Sequence, residues 1–176
     1  MGPAYDLVLA AHVLSALVGM GAVATTGFYA ARLAAGHLGP AELRYFRPGR
    51  NWPARALWAV PALGAGLVGL SGGEFSWTQP WVDAGVGLAA TLVAVCQAVV
   101  WPAEARLQRH LAQAPGARAG VPPGEPAGGR WAPGGPAGRG AELAGLGRRL
   151  LLGAVAAELV ATAAFVVMFA KPGGPS

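Results

Sequence analysis

The sequence predicts an all-α membrane protein, a bundle of four transmembrane helices, and three observations carry that prediction. Of the 176 residues, 54% are hydrophobic and only 12% are charged. That is about half the charged fraction of a water-soluble domain, too little to build a water-facing shell. The apolar residues arrive in blocks of about 20, the length a helix needs to cross a hydrocarbon core of roughly 30 Å at 1.5 Å per residue. Finally, the arginines gather in two clusters beside those blocks, the pattern that sets topology.

The first span covers about residues 5–31. Its Ala22-Val23-Ala24 has the form of a signal-peptidase site, but no basic region precedes the apolar run. Asp6 stands there instead, and the run continues through Phe28 and Tyr29 to Arg32, so the segment is read as a span and not as a leader. The second span, about residues 55–70, contains Pro61, Gly64, Gly66 and Gly69 and is the poorest helix former of the four. A kink near Pro61, or partial shielding of the span by its neighbours, is expected. The third covers about 81–104 and the fourth about 148–170. Each reads as a helix because backbone groups in lipid must be paired within the segment.

Residues 113–142 form a stretch dense in Pro, Gly, Ala and Arg, such as Pro133-Gly134-Gly135-Pro136. Such a composition buries too little surface to offset chain entropy, and predicts a flexible cytoplasmic linker inside a single membrane domain. Trp131 among its arginines is consistent with an arm lying on lipid headgroups.

Orientation follows from charge. Arg32, Arg44, Arg47, Arg50 and Arg55 lie between the first two spans, and Arg106, Arg109, Arg118, Arg130, Arg139, Arg148 and Arg149 between the last two. Both segments are expected on the cytoplasmic side, with both termini outside. Trp77 and Trp81 at one boundary, and Trp58 and Trp101 at the other, fit aromatic belts. The net charge of +5 is explained by these clusters, so a nucleic-acid partner is not expected. The one cysteine, Cys96, excludes an internal disulfide or a cysteine-pair metal site. Gly72-Gly73 makes a turn, and no phosphate-cradling motif follows a strand.

Ionisable groups at bilayer depth are costly, so they are the place to search for function. Glu158 falls near the middle of the fourth span, at about the depth of Cys96, Gln97 and Met20. It reads as a proton or cation site, or as a neutral acid hydrogen-bonded to Gln97 that joins two helices. His12 lies about two turns inside the outer boundary, on a face continuing through Ser15, Gly19, Ala22 and Thr26 at steps of three and four. Thr91 and Thr162 reach a comparable depth, and Lys171 closes the outer end of the fourth span. His12, Ser15, Thr91, Thr162 and Lys171 thus define a candidate outer pocket, the alternative being a histidine satisfied by one neighbouring hydroxyl or carbonyl.

Two-histidine haem ligation within one chain is disfavoured, because His37 and His110 belong to the cytoplasmic side while His12 is near the outside. A haem held by His12 alone, or shared with another subunit, is left open. No metal-ligand set is expected, since Met168 and His12 both stand well away from Met20 and Cys96. The pairs Gly19 and Gly21, Gly64 and Gly66, and Gly85 and Gly87 read as surfaces for close helix approach.

The chain resembles a group of uncharacterised bacterial four-helix integral membrane proteins, similar in plan to the copper-resistance D membrane domain and the J-type protoporphyrinogen oxidase. The features that carry the resemblance are Ala11-His12-Val13-Leu14 leading to Gly19-Met20-Gly21, then Trp101-Pro102-Ala103, and then Met168-Phe169-Ala170-Lys171-Pro172. The resemblance implies a bacterial inner-membrane location and, through the haem-pathway relatives, roles for His12 and Lys171 in handling haem or porphyrin. The chain departs from those relatives in having Val18 before Gly19 in place of tryptophan, and in its long Pro/Gly linker. The abundance of small residues and the scarcity of reactive ones lead to the expectation of a non-enzymatic or accessory membrane protein, in contact with lipid and packed as a homo-oligomer or in a larger complex. Haem or porphyrin handling and proton or cation transport through Glu158 are the alternatives.

Overall fold

The structure, a computed structural model, describes residues 2–47, 51–113 and 137–170. Its regular elements are α1 (Pro3–Ala34), α2 (Pro40–Tyr45), a 3-10 segment (Trp52–Trp58), α3 (Ala59–Leu70), α4 (Pro80–Val95), a π-helical turn (Cys96–Val100), α5 (Trp101–Ala112) and α6 (Ala137–Ala170). Among the described residues there is no strand. Four helical stretches are long and apolar enough to cross a membrane: Pro3–Ala34, Trp52–Leu70, Pro80–Ala112 and Gly140–Ala170.

The second and third differ from their expected extents for local reasons. The second stretch begins at Trp52 and winds as a 3-10 helix up to Trp58. Pro61 has no N–H to offer the carbonyl of Leu57, and its ring crowds that carbonyl, so a regular α-helix cannot run through from the 3-10 segment into α3. In the third stretch Pro102 likewise leaves the carbonyl of Ala98 without its usual donor, and the turn before it widens into the π segment. The helix does not stop there. α5 continues to Ala112 with Trp101, Ala103, Glu104, Leu107 and Leu111 buried and Arg106 and Arg109 exposed.

α6 begins at Ala137, so residues 137–142, expected in the linker, are helical. The rest of that segment, 114–136, lies outside the described residues.

The described chain divides into two compact units. The described residues of the first fall within 1–23, 52–95 and 156–176, and those of the second within 24–51 and 96–155. In the first unit, glycines bring helices together. A Cβ on Gly19 would stand 2.6 Å from Cγ of Leu57, one on Gly66 3.7 Å from Val8, and one on Gly85 3.6 Å from Cε of Met168. In lipid the solvent is as apolar as the side chains, so this kind of close van der Waals approach, not expulsion from water, is what holds spans together.

In the second unit α1 and α6 run antiparallel in contact. Gly27 faces Ala154, where a Cβ would lie 3.0 Å from the alanine methyl, and seven residues away on each helix Gly147 faces Ala30 and Ala34. Leu33, Phe46, Leu107 and Leu150 fill this unit at no more than 1% exposure. Along the part of α6 in this unit the buried positions Leu143, Gly147, Leu150 and Ala154 recur at steps of four and three, one inward stripe.

Candidate functional site

The first unit contains the histidine and the acid singled out from the sequence. His12 is half-buried on α1, and its Nδ1 donates to the carbonyl oxygen of Val60 on α3 at 3.0 Å. A carbonyl only accepts, so the proton sits on Nδ1 and the lone pair on Nε2. Gly64 makes this approach possible, because a Cβ there would lie 3.3 Å from Cε1 of the imidazole and 3.7 Å from Nδ1. Ser15, one turn on, is half-buried on the same face, which continues through Gly19 and Thr26, both buried.

Thr91 and Thr162 are arranged differently. Both are exposed, and each hydroxyl donates within its own helix at 2.8 Å, Thr91 to the carbonyl of Gly87 and Thr162 to that of Glu158. In this arrangement each threonine hydroxyl spends its proton within its own helix and not across the unit. Lys171 lies outside the described residues.

Glu158 is half-buried, with Oε1 enclosed and without a hydrogen-bond partner among the described residues. Gln97, its expected partner, sits in the π turn of the second unit with an exposed side chain. Counting residues along a span gives depth but not direction around the helix, and the π turn shifts that direction for every residue after it.

Both described ion pairs are in the second unit, at residues that sequence reasoning did not propose as a site. Arg32 Nε pairs with Oε1 of Glu42, whose side chain is 0% exposed, while Oε2 of Glu42 accepts from the Gly39 amide at 2.8 Å. That amide bond is half of a capping box that starts α2. Burial opposes ionisation of Glu42, but the Arg32 guanidinium and the Gly39 amide outweigh it and hold the carboxyl below the usual carboxylate range. Thr26 and Tyr45 share a hydrogen bond of 2.7 Å, and Tyr45 stacks on Tyr29 with centroids 4.4 Å apart. α2 is thereby fastened along the end of α1.

Glu104, 5% exposed, accepts at one oxygen from Asn51 Nδ2 and from Gln108 Nε2, the latter at 3.2 Å. His110 and Glu142 approach to 3.3 Å between α5 and α6. The Gly-Pro-x-Glu spacing of residues 39–42 is the one sequence signal that marks Glu42 in advance. Nothing in the sequence pairs Asn51 with Glu104, 53 residues apart.

These features define a class: an all-α protein with four membrane-length helices, carrying a pinned histidine and an enclosed acid in one unit and a buried ionic and hydrogen-bonded cluster in the other. The chain matches no protein family, no curated protein and no solved structure.

Proposed function

We propose that the chain is an accessory subunit of a bacterial inner membrane, with both termini outside, that packs through α1 with itself or with a larger membrane complex. One observation carries this reading. Leu7, Ala10, Leu14, Leu17, Gly21, Ala24 and Phe28 are all exposed and recur at steps of three and four along α1. Lipid alone accepts any apolar surface, but this stripe has small residues in its middle. A Cβ on Gly21 would meet nothing within 4 Å, and Gly21 and Thr25, one turn apart, are both exposed. Small residues at that spacing let a second helix approach to backbone contact. The two arginine clusters support the orientation.

Native mass spectrometry of the full chain in mild detergent tests this reading. The expected result is an oligomer or a copurifying membrane protein, lost in Gly21→Leu. A parent protein that is monomeric and alone overturns it.

A second reading, haem or porphyrin binding at His12, is favoured by the Val60 hydrogen bond. A ligating histidine commonly donates its other ring nitrogen to a carbonyl, which fixes the tautomer and orients the lone pair. Here Nδ1 is so engaged, and Nε2 has the lone pair an axial ligand needs. The reading predicts a Soret band on haem addition that is absent in His12→Ala. A protein whose spectrum is the sum of free haem and apoprotein contradicts it.

A further inference from the structure

Glu158 is the described intramembrane acid that the two readings above do not use. The helix from Leu150 to Ala170 contains no other charged residue. Glu158 lies eight residues from one end of that run and twelve from the other, about 12 Å and 18 Å at the helical rise, well inside a hydrocarbon core. Around the helix it flanks the buried seam: Ala154, Ala157 and Ala161 are buried, while Leu159 and Thr162 on its other side are exposed. Its Oε1 is enclosed with no hydrogen-bond partner among the described residues, although the residue as a whole is only half-buried.

The other described acidic, basic and imidazole side chains of its unit are Asp6 and His12 on α1, Arg55 in the 3-10 segment, Glu74 in the α3–α4 connection and Asp83 at the start of α4. Oε1 of Glu158 has no hydrogen-bond partner among the described residues, and both described ion pairs belong to the other unit. An ionised carboxylate in low dielectric without a cation or donors is far costlier than the neutral acid.

We propose that Glu158 is a proton-binding site within the membrane, a carboxylic acid that holds its proton in the apolar span and is reachable from the hydrocarbon side. Its ligand is the proton. The half-buried position on the rim of the seam gives hydrophobic molecules a path that water-soluble ones lack.

The test is reaction of the full chain, in phospholipid vesicles, with dicyclohexylcarbodiimide, read by peptide mass spectrometry. The protonated carboxyl adds across one C=N bond. Its proton goes to nitrogen and its oxygen bonds the central carbon, and the O-acylisourea formed rearranges by acyl transfer to a stable N-acylurea. No further reactant is needed. The expected result is an adduct on Glu158 in mildly acidic buffer that disappears in alkaline buffer, while a water-soluble carbodiimide modifies Asp6, Glu74 and Asp83 but not Glu158.

Glu158→Asp is expected to retain the adduct. The infrared carbonyl band of a protonated carboxylic acid, present in the parent and missing in Glu158→Gln, reads the same proton without chemical labelling. A Glu158 left unmodified by dicyclohexylcarbodiimide in mildly acidic buffer, or a parent spectrum lacking that band, overturns the proposal.

Discussion

Gly147 on α6 lies so close to α1 that a Cβ built on it would stand 2.9 Å from the amide nitrogen of Ala34 and 3.0 Å from the carbonyl oxygen of Ala30. Those neighbours are backbone atoms and cannot rotate away. Gly147→Ala is therefore expected to lower stability by about 1–3 kcal/mol, as overpacking does in other close-packed interiors. Gly145→Ala is the control. Its Cβ meets nothing within 4 Å, so the better helix propensity of alanine should leave it neutral or stabilised by up to about 1 kcal/mol. Thermal midpoints in one detergent check both.

The Arg32–Glu42 pair makes stability depend on pH with a definite sign. The folded carboxyl titrates below its unfolded value, so the pair's contribution is fully present above the unfolded glutamate range and is lost as the pH falls through the lower, folded value. The parent protein should lose thermal stability in acid below about pH 4. Glu42→Gln should be less stable at neutral pH by about 1–3 kcal/mol and show a weaker acid dependence. A variant with the same acid profile as the parent would contradict this assignment.

Tyr45→Phe removes the hydroxyl that meets Thr26 at 2.7 Å and keeps the ring stacked on Tyr29. A cost of about 0.5–1.5 kcal/mol is expected. Tyr45→Ala, which removes the stacked ring as well, should cost more. Limited proteolysis between residues 35 and 47 is expected to quicken in the same order.

The proposed orientation has its own check. Cys96 is buried and is the chain's one cysteine, so Cys96→Ala gives a background without thiols. In that background Gly2→Cys and Ser176→Cys should react with a membrane-impermeant maleimide on intact spheroplasts, and Arg109→Cys only after permeabilisation. The reverse pattern would invert the topology.

Several packing relationships were legible in the sequence. The face of α1 through His12, Ser15, Gly19 and Thr26 does turn inward, because period and residue size together define an inward stripe. Gly19 and Gly64 make a close approach that a Cβ would crowd, while Gly66 and Gly85 stand at ordinary contact distance from a neighbouring helix. Gly21 and Gly87 make none within the described chain.

The site was less legible. His12 was identified by its cost at bilayer depth, but its partner is the Val60 carbonyl, a group every residue has and no sequence pattern marks. Thr91 and Thr162 share a depth with it and still bond to their own helices, since hydroxyls four residues from a carbonyl find it first.

What the sequence determined by itself is the class: helices, four of them long and apolar enough to span, separated by segments that carry the charge. That information is local and one-dimensional, held in run length, composition and period. What only the tertiary structure decided is which polar groups meet. The Arg32–Glu42 pair, the Asn51–Glu104 contact, the His12 bond to Val60 and the enclosure of Glu158 Oε1 depend on the azimuth of each helix. Azimuth is set by glycine contacts, and the prolines shift it through the 3-10 and π segments; neither effect adds up along a span in a way that residue counting can follow.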